Sequence, residues 1–477
     1  MRDSNAETTR ETRRTSPSKE TSRSTRRRLL RCVASAGAVG TVGGLAGCLS
    51  SLRSSGVSCN DHRVHAGADL SGTDLSGCDL VGADLSEATL TDASLVETDL
   101  RDANLFLATF EGASLERADL RGAQYLLSAL LDADLTGANL SGETFAGFDL
   151  SDVDLSGVVL RAADFTDARL DSVDFTDADL TSVDLTGATL TTAVLEGTIL
   201  EYTSLDEARL VGQSLAGTDL SNATLREAAL QSVDFTDADL SEATLVDADL
   251  SGATLEDVTL TDADLSGATL ENATLASIDL AGVTAAEVDF SDVTIEDVRF
   301  GGADLTGADL RERDFSGHDL SETILADTTL YGVDLTDASL ENADLTGANL
   351  FEATLEGVDL TEAATLAGVE LMEADLAGRN LAGVDFSNAE LFLANLSGAD
   401  LSGATLVGTD CWNADLTGVT FAGANLTDAY LEDADLTGAD FTGATLEGTS
   451  FSGSDLTGAT WTDGSTCETG TCDGRIE

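Results

Sequence analysis

Gly67-Ala68-Asp69-Leu70-Ser71-Gly72-Thr73-Asp74-Leu75 carries the rule of this chain in nine residues. A small residue is followed by Asp, then Leu, then two small or polar residues, and the pattern begins again five positions on. Outward from it, a large apolar side chain falls on every multiple of five from Leu70 to Leu360. One extra residue near Thr365 moves the centre to Leu366, and the new register runs to Trp461. Among these 79 units only Ala285 and Cys411 put a small residue at the centre. A helix repeats apolar positions at about 3.6 residues and a strand at 2, so a period of five fits neither. The centre and the residue two before it share one side of a short extended segment. Ser-Gly, Thr-Gly or Thr-Asp then supplies a turn. One unit cannot bury its own leucine, so the units must stack into a solenoid with a continuous core.

The pattern A(D/N)LXX resembles the pentapeptide-repeat family, over about 390 of the 477 residues. The resemblance implies an all-β fold, a right-handed four-sided parallel β-helix with four units, or twenty residues, per coil. About twenty coils are expected over residues 67–461, and at roughly 4.8 Å per coil they would make a rod roughly 95 Å long. The family implies a fold rather than one function, because this fold hosts several.

Acidic residues outnumber basic ones 87 to 24, the net charge is −63, and Lys19 is the only lysine. Asp clusters just before the repeat centre, so carboxylate ladders are expected to cover the outside. A solvated surface adapted to molar salt explains them, and the scarcity of lysine with a pI near 4.1 resembles a halophilic proteome. Direct binding of DNA or RNA is excluded, because gripping phosphates needs Lys and Arg.

Residues 1–47 have another composition, with 10 basic and 4 acidic residues. Thr25-Arg26-Arg27-Arg28-Leu29-Leu30-Arg31 is close to the twin-arginine export consensus, with Arg26 and Arg27 as its pair. A weakly apolar run from Cys32 to Gly47 follows, too short and Gly-rich to span a membrane stably. Leu45-Ala46-Gly47-Cys48 resembles a lipobox, so cleavage before Cys48 would leave that thiol to carry a lipid. The reading is a signal peptide over 1–47, a lipid-anchored linker and N-terminal cap over 48–66, and a mature protein on the outer face of the cell membrane.

Five cysteines remain after Cys48. Cys78 and Cys411 occupy inward positions and are expected as core thiols. Cys467 and Cys472 fall in the non-repeat tail, 462–477, where a disulfide suits an exported chain. Trp461, at the last centre, is expected to cap the core. His62 and His65 beside Cys59 and Asp61 have ligand-type spacing, yet an N-terminal cap is the better reading, and no metal or other cofactor is expected. Inward positions two before the centre carry Ala, Val, Thr or Ser almost throughout. Glu143, Phe148, Gln213, Arg313, His318 and Arg379 are exceptions, expected as local bulges where the side chain escapes outward rather than burying a polar group.

More telling are apolar residues on the outside. The position after the centre is nearly always polar or small, yet Tyr331, Phe351, Met372, Phe392 and Trp412 occupy it. Successive members lie 20, 21, 20 and 20 residues apart, so four units per coil stack them in one column, a candidate binding strip bordered by carboxylates. Phe106 and Leu107 with Tyr125, Leu126 and Leu127 form a second candidate apolar patch. Aligned exposed apolar residues usually have a reason: cover by the chain's own tail or linker, a protein partner or dimer surface, or a cell-surface glycan lying on the rings. No Ser/His/Asp arrangement, phosphate-binding loop or cleft-forming insertion points to catalysis. The reading is therefore a non-catalytic, surface-anchored scaffold or binding module. The alternative implied by the family is a cytoplasmic DNA mimic that inhibits a type II topoisomerase. Export signals, halophilic acidity and the lack of a dimerising C-terminal helix argue against it.

Overall fold

In the computed structural model, which describes residues 57–472, each five-residue unit is one side of a coil. Leu70 N–H donates to Thr89 O at 2.8 Å and Thr89 N–H to Ala68 O at 2.9 Å, so each unit hydrogen-bonds to the unit twenty residues later. Parallel pairing at that separation recurs along the chain, from Asp69 with Thr89 to Asp440 with Thr460. Twenty residues per coil at five per side makes the solenoid four-sided. The corner follows from Thr73 N–H donating to Leu70 O at 3.2 Å, with Gly72 at φ 62°. A positive φ at the third turn position is what a type II turn requires. Asp69 locks the corner: its Oδ1 accepts from Ser71 N–H at 3.2 Å and from Ser71 Oγ at 2.7 Å. These two bonds, the hydroxyl first, hold the Asp69 carboxyl below its ordinary range.

Centres and the small residues two before them form the core, Leu70, Ala68, Leu240 and Ala238 among them. Among the described coils, parallel pairing is continuous over three residues at Thr254–Glu256 (β3), Thr274–Ala276 (β4) and Thr294–Glu296 (β5), in a parallel sheet of order β3-β4-β5. By internal contacts the chain forms two units, one up to Leu115 together with Gly122–Asp134, the other Glu116–Arg121 together with Leu135 onward.

The first unit begins with an antiparallel hairpin, β1 (Val57–Cys59) and β2 (His62–Val64). Asn60 and Asp61 form its turn at φ 46° and 67°, as a two-residue type I′ hairpin demands. Cys59 is bonded to Cys78. Cys78 is therefore not the core thiol expected from its inward position, and Cys59 offers no thiolate to His62 and His65. Sequence register alone could not show this, because the hairpin folds Cys59 back beside a coil whose own register already buried Cys78. The same unit contains α1 (Leu127–Leu130), a single helical turn where one regular unit was expected.

At the end of the second unit, Thr466 pairs antiparallel with Thr460, and Cys467 is bonded to Cys472. Trp461 lies 5.9 Å, ring to ring, from both Phe441 and Phe451, beneath this returning segment.

Several polar inward residues bond to the preceding coil instead of escaping outward. Thr198, Thr203, Thr328 and Thr409 each donate to the carbonyl of the centre 23 residues earlier, at 2.7–3.0 Å. Gln213 does the same with Leu190, and Arg313 with Phe290. Arg379 reaches Leu355, 24 residues back because of the inserted residue, and also Val358 O at 2.9 Å. Beside the longer side chains the parallel pairing is interrupted. Among the described residues no parallel pairing joins Val194 to Ser214, Thr294 to Asp314 or Asp359 to Asn380, whereas Asp179 pairs with Ile199 beside Thr198. Leu190 O and Phe290 O already accept the turn N–H of Ala193 and Val293, so each side chain adds a second donor to a turn carbonyl. Burial lowers the Arg313 pKa, with Asp292 and Asp289 partly offsetting it. Glu143, Phe148 and His318 are half-buried, and His318 packs edge-on against Phe315.

Candidate functional site

Tyr331, Phe351, Met372, Phe392 and Trp412 all stand at the second turn position, just after the centre, in one column of the second unit. Backbone bonds fix the stacking: Gly332 N–H donates to Phe351 O at 2.9 Å and Glu373 N–H to Phe392 O at 3.1 Å. The column is less open than its sequence implied. Tyr331, Phe351, Met372 and Phe392 are half-buried, and the Tyr331 and Phe351 rings sit 5.8 Å apart, tilted. Side chains one coil apart are close enough to cover one another, which the sequence pattern, read coil by coil, does not reveal. The polar handles turn to carboxylates: Tyr331 donates from its hydroxyl to Glu352 at 2.8 Å, and Trp412 Nε1 donates to Asp433 at 3.2 Å. The bond to Glu352, then its charge, raises the Tyr331 pKa.

Trp412 ends the column. It is 45% exposed and makes no ring contact among the described residues. Two neighbours that sequence reading missed complete the exposed cluster. Leu393, 39% exposed, donates its N–H to Trp412 O at 3.0 Å, and Tyr430, 51% exposed, accepts at its carbonyl from Cys411 N–H at 2.8 Å. The signal was present, since Leu393 fills a turn position and Tyr430 a ladder position that the repeat gives to Gly or Asp. Neither belongs to the column of residues that follow the repeat centres. Cys411 beneath them is a buried free thiol, its pKa pushed up to about 12 by burial.

Leu393 sits at φ 60°, a region that costs a residue with a Cβ about 1–2 kcal/mol. Elsewhere this corner position is mostly Gly, Asp, Asn, Glu or Ser, with Leu107, Arg117, Ala162 and Tyr202 as other exceptions. Leu393→Gly is expected to leave stability unchanged or raise it by up to about 1 kcal/mol, relief of the backbone offsetting the added freedom of the unfolded chain. A loss above that in chemical denaturation would show that Leu393 is held for packing rather than for display.

Beside the column runs a carboxylate ladder, Glu370 paired with Glu390 and Glu390 with Asp410. Burial first, and Glu390 second, push the Glu370 pKa up. Asp400 is pulled down by the Ser402 hydroxyl and N–H. Stability contributed by Glu370 is present at low pH and lost as pH rises through its raised folded value. That of Asp400 is present above the ordinary value and lost as pH falls through its lowered one. A carboxyl NMR titration should find Glu370 still protonated where Asp400 is ionised, and Glu390→Gln should bring Glu370 down.

The second patch is reorganised. Phe106 and Leu107 are exposed, with Leu107 at φ 63°. Leu126 and Leu127 are half-buried, because Leu127 opens α1 instead of taking the positive φ of a corner. Near the inserted residue, Ala353, Thr354, Glu356, Gly357, Asp375 and Arg379 line a groove of about 410 Å³. Gly357 suits this corner: it has φ 77°, and a Cβ there would come within 2.0 Å of Asp337 Oδ1, which would have to move. Among the described residues no His/Cys/Asp/Glu group could hold a metal, and no helix is long and apolar enough to cross a membrane. Arg26, Arg27 and Cys48 lie outside the described residues.

The pentapeptide repeats family matches residues 68–105, 130–197, 203–363 and 370–460, and the chain belongs to it. Its coils are those of a right-handed quadrilateral β-helix. No curated protein matches. Among solved structures, HetL, a pentapeptide repeat protein involved in heterocyst differentiation regulation in the cyanobacterium Nostoc sp. strain PCC 7120, is 28% identical. That alignment covers 62% of this chain and 92% of HetL, with a TM-score of 0.21. A pentapeptide repeat protein from the Arabidopsis thaliana thylakoid lumen is 27% identical over 24% of this chain and 68% of its own, with a TM-score of 0.10. A trypsin-treated QnrB1, a plasmid-mediated fluoroquinolone resistance protein, is 17% identical over 48% and 88%, with a TM-score of 0.16. Membership rests on the repeat match and not on these superpositions.

Proposed function

We propose that the chain is a non-catalytic binding scaffold, held on the outer face of a cell membrane through lipidated Cys48, that presents Trp412 and its neighbours to a partner. The observation that carries this reading is the exposed cluster of Leu393, Trp412 and Tyr430, apolar at positions the repeat otherwise fills with polar or small residues. Exposed aromatic residues rimmed by polar groups mark interaction sites more often than they stabilise a fold. The Arg26-Arg27 pair and the Leu45-Ala46-Gly47-Cys48 sequence support export and anchoring, and the acidic surface fits a halophilic setting. The described tail turns back at Trp461 and pairs at Thr460, which leaves Trp412 to something other than that segment.

Fractionation of cells carrying the native chain and a Cys48→Ser variant, with protease added outside, tests the anchoring. Membrane-bound, protease-sensitive native protein with a released variant is expected. If both stay soluble inside the cell, the anchored reading fails and topoisomerase inhibition becomes the assay to run. Phe392→Ala with Trp412→Ala should keep the native circular dichroism while weakening retention of the natural contact. Unfolding of that double variant would make the strip structural.

A further inference from the structure

Positive charge is distributed unevenly along this chain. Every described ion pair falls between Asp99 and Arg311, where Arg101, Arg121, Arg161, Arg169, Arg299 and Arg311 answer carboxylates on the surface. From residue 314 to 472 the single basic side chain other than His318 is Arg379, and its guanidinium is turned to the carbonyls of Leu355 and Val358. The exposed apolar cluster lies within this stretch. It is flanked by Glu370, Glu390 and Asp410, which form no ion pair among the described residues. Trp412 ends its column with no ring stacked on it, the next residue in line being Glu432, and Tyr430 follows Asp410 in the carboxylate ladder.

We propose that this cluster is a docking site for an arginine-bearing extended segment of a partner protein, with a guanidinium lying against Trp412 and Tyr430 and forking to Glu390 and Asp410. The inference rests on the binding-scaffold reading and names the partner's chemistry. Arginine suits the site because its planar, weakly hydrated cation stacks on aromatic faces and pairs with carboxylates in a fork. Tyr331 and Phe351 are occupied with each other and Phe392 is half-buried, which leaves little open face for a sugar. Crowding of Glu370 against Glu390 gives a cation a further electrostatic reason to settle there.

Peptides Ac-(Gly-Arg)4-amide, Ac-(Gly-Lys)4-amide and Ac-(Gly-Glu)4-amide, titrated calorimetrically into the full chain at several salt concentrations, test it. A chain this acidic attracts any polycation, so the decisive comparison uses Trp412→Ala with Tyr430→Ala, which leaves net charge unchanged. The arginine peptide should bind more tightly than the lysine one, and the aromatic double variant should weaken it about tenfold. Glu370→Gln with Glu390→Gln, which keeps the rings, should weaken it comparably at low salt. Equal binding by native and Trp412/Tyr430 variant proteins would overturn the inference, as would arginine and lysine peptides that bind alike. If peptide binding is indifferent to the rings while the Phe392/Trp412 variant still loses its cell-surface contact, a glycan included, the scaffold reading stands and the arginine site falls.

Discussion

Leu240→Asp is expected to cost more than about 4 kcal/mol and to split the second unit at that coil. Leu240 is fully buried, and its N–H donates to Thr259 O at 2.8 Å. The coils before and after it place Leu220 and Leu260 on the same column, both buried. A carboxylate there has no cation to meet and no water to reach, so it loses a leucine's burial and adds the desolvation of a charge. In a solenoid each coil touches only its neighbours, so the damage should be local in origin and break the stack in two. Native-state hydrogen exchange should show amides of residues 215–265 losing protection first, with the rest unfolding in two steps. A single transition at the native midpoint would contradict this account of the core.

Phe441→Ala should cost about 3–5 kcal/mol, the range for emptying a large aromatic site. Phe441 is fully buried, stacked on Phe421 at 5.1 Å and surrounded by Phe451 and Trp461 at 6.0 and 5.9 Å. Its position near the end of the stack changes the form of the loss. Among the described residues the returning segment alone covers the last coils, so they should fray while residues 135–400 keep their protection. Limited proteolysis should cut the variant after about residue 430 and leave the native chain intact there. Equal cutting of both would mean that the disulfide-closed segment at Cys467–Cys472, rather than the aromatic cluster, secures the end.

The five-residue period made the fold legible, because a centre and its small partner at i−2 can be buried together in only one kind of stack. Column alignment was legible for the same reason: once twenty residues make a coil, Tyr331, Phe351, Met372, Phe392 and Trp412 must line up. The inserted residue near Thr365 was readable too, and its consequence appears in the 24-residue reach of Arg379. Departures from the rule were harder to read. Arg313 and Arg379 appeared to need an outward bulge, because sequence does not show which carbonyls one coil away lie within reach of a guanidinium.

Sequence by itself determined the period, the solenoid, the inward and outward positions and the column of aromatic residues. All of these follow from local spacing repeated many times. Tertiary structure decided that Cys59 and Cys78 are joined and that residues 127–130 turn helical. It also decided that most of the strip covers itself and that Leu393 and Tyr430 join Trp412 in the exposed cluster. Each of these depends on which side chains meet between coils, where separations of twenty residues become contacts of a few ångströms and steric fit, not spacing, selects the partner.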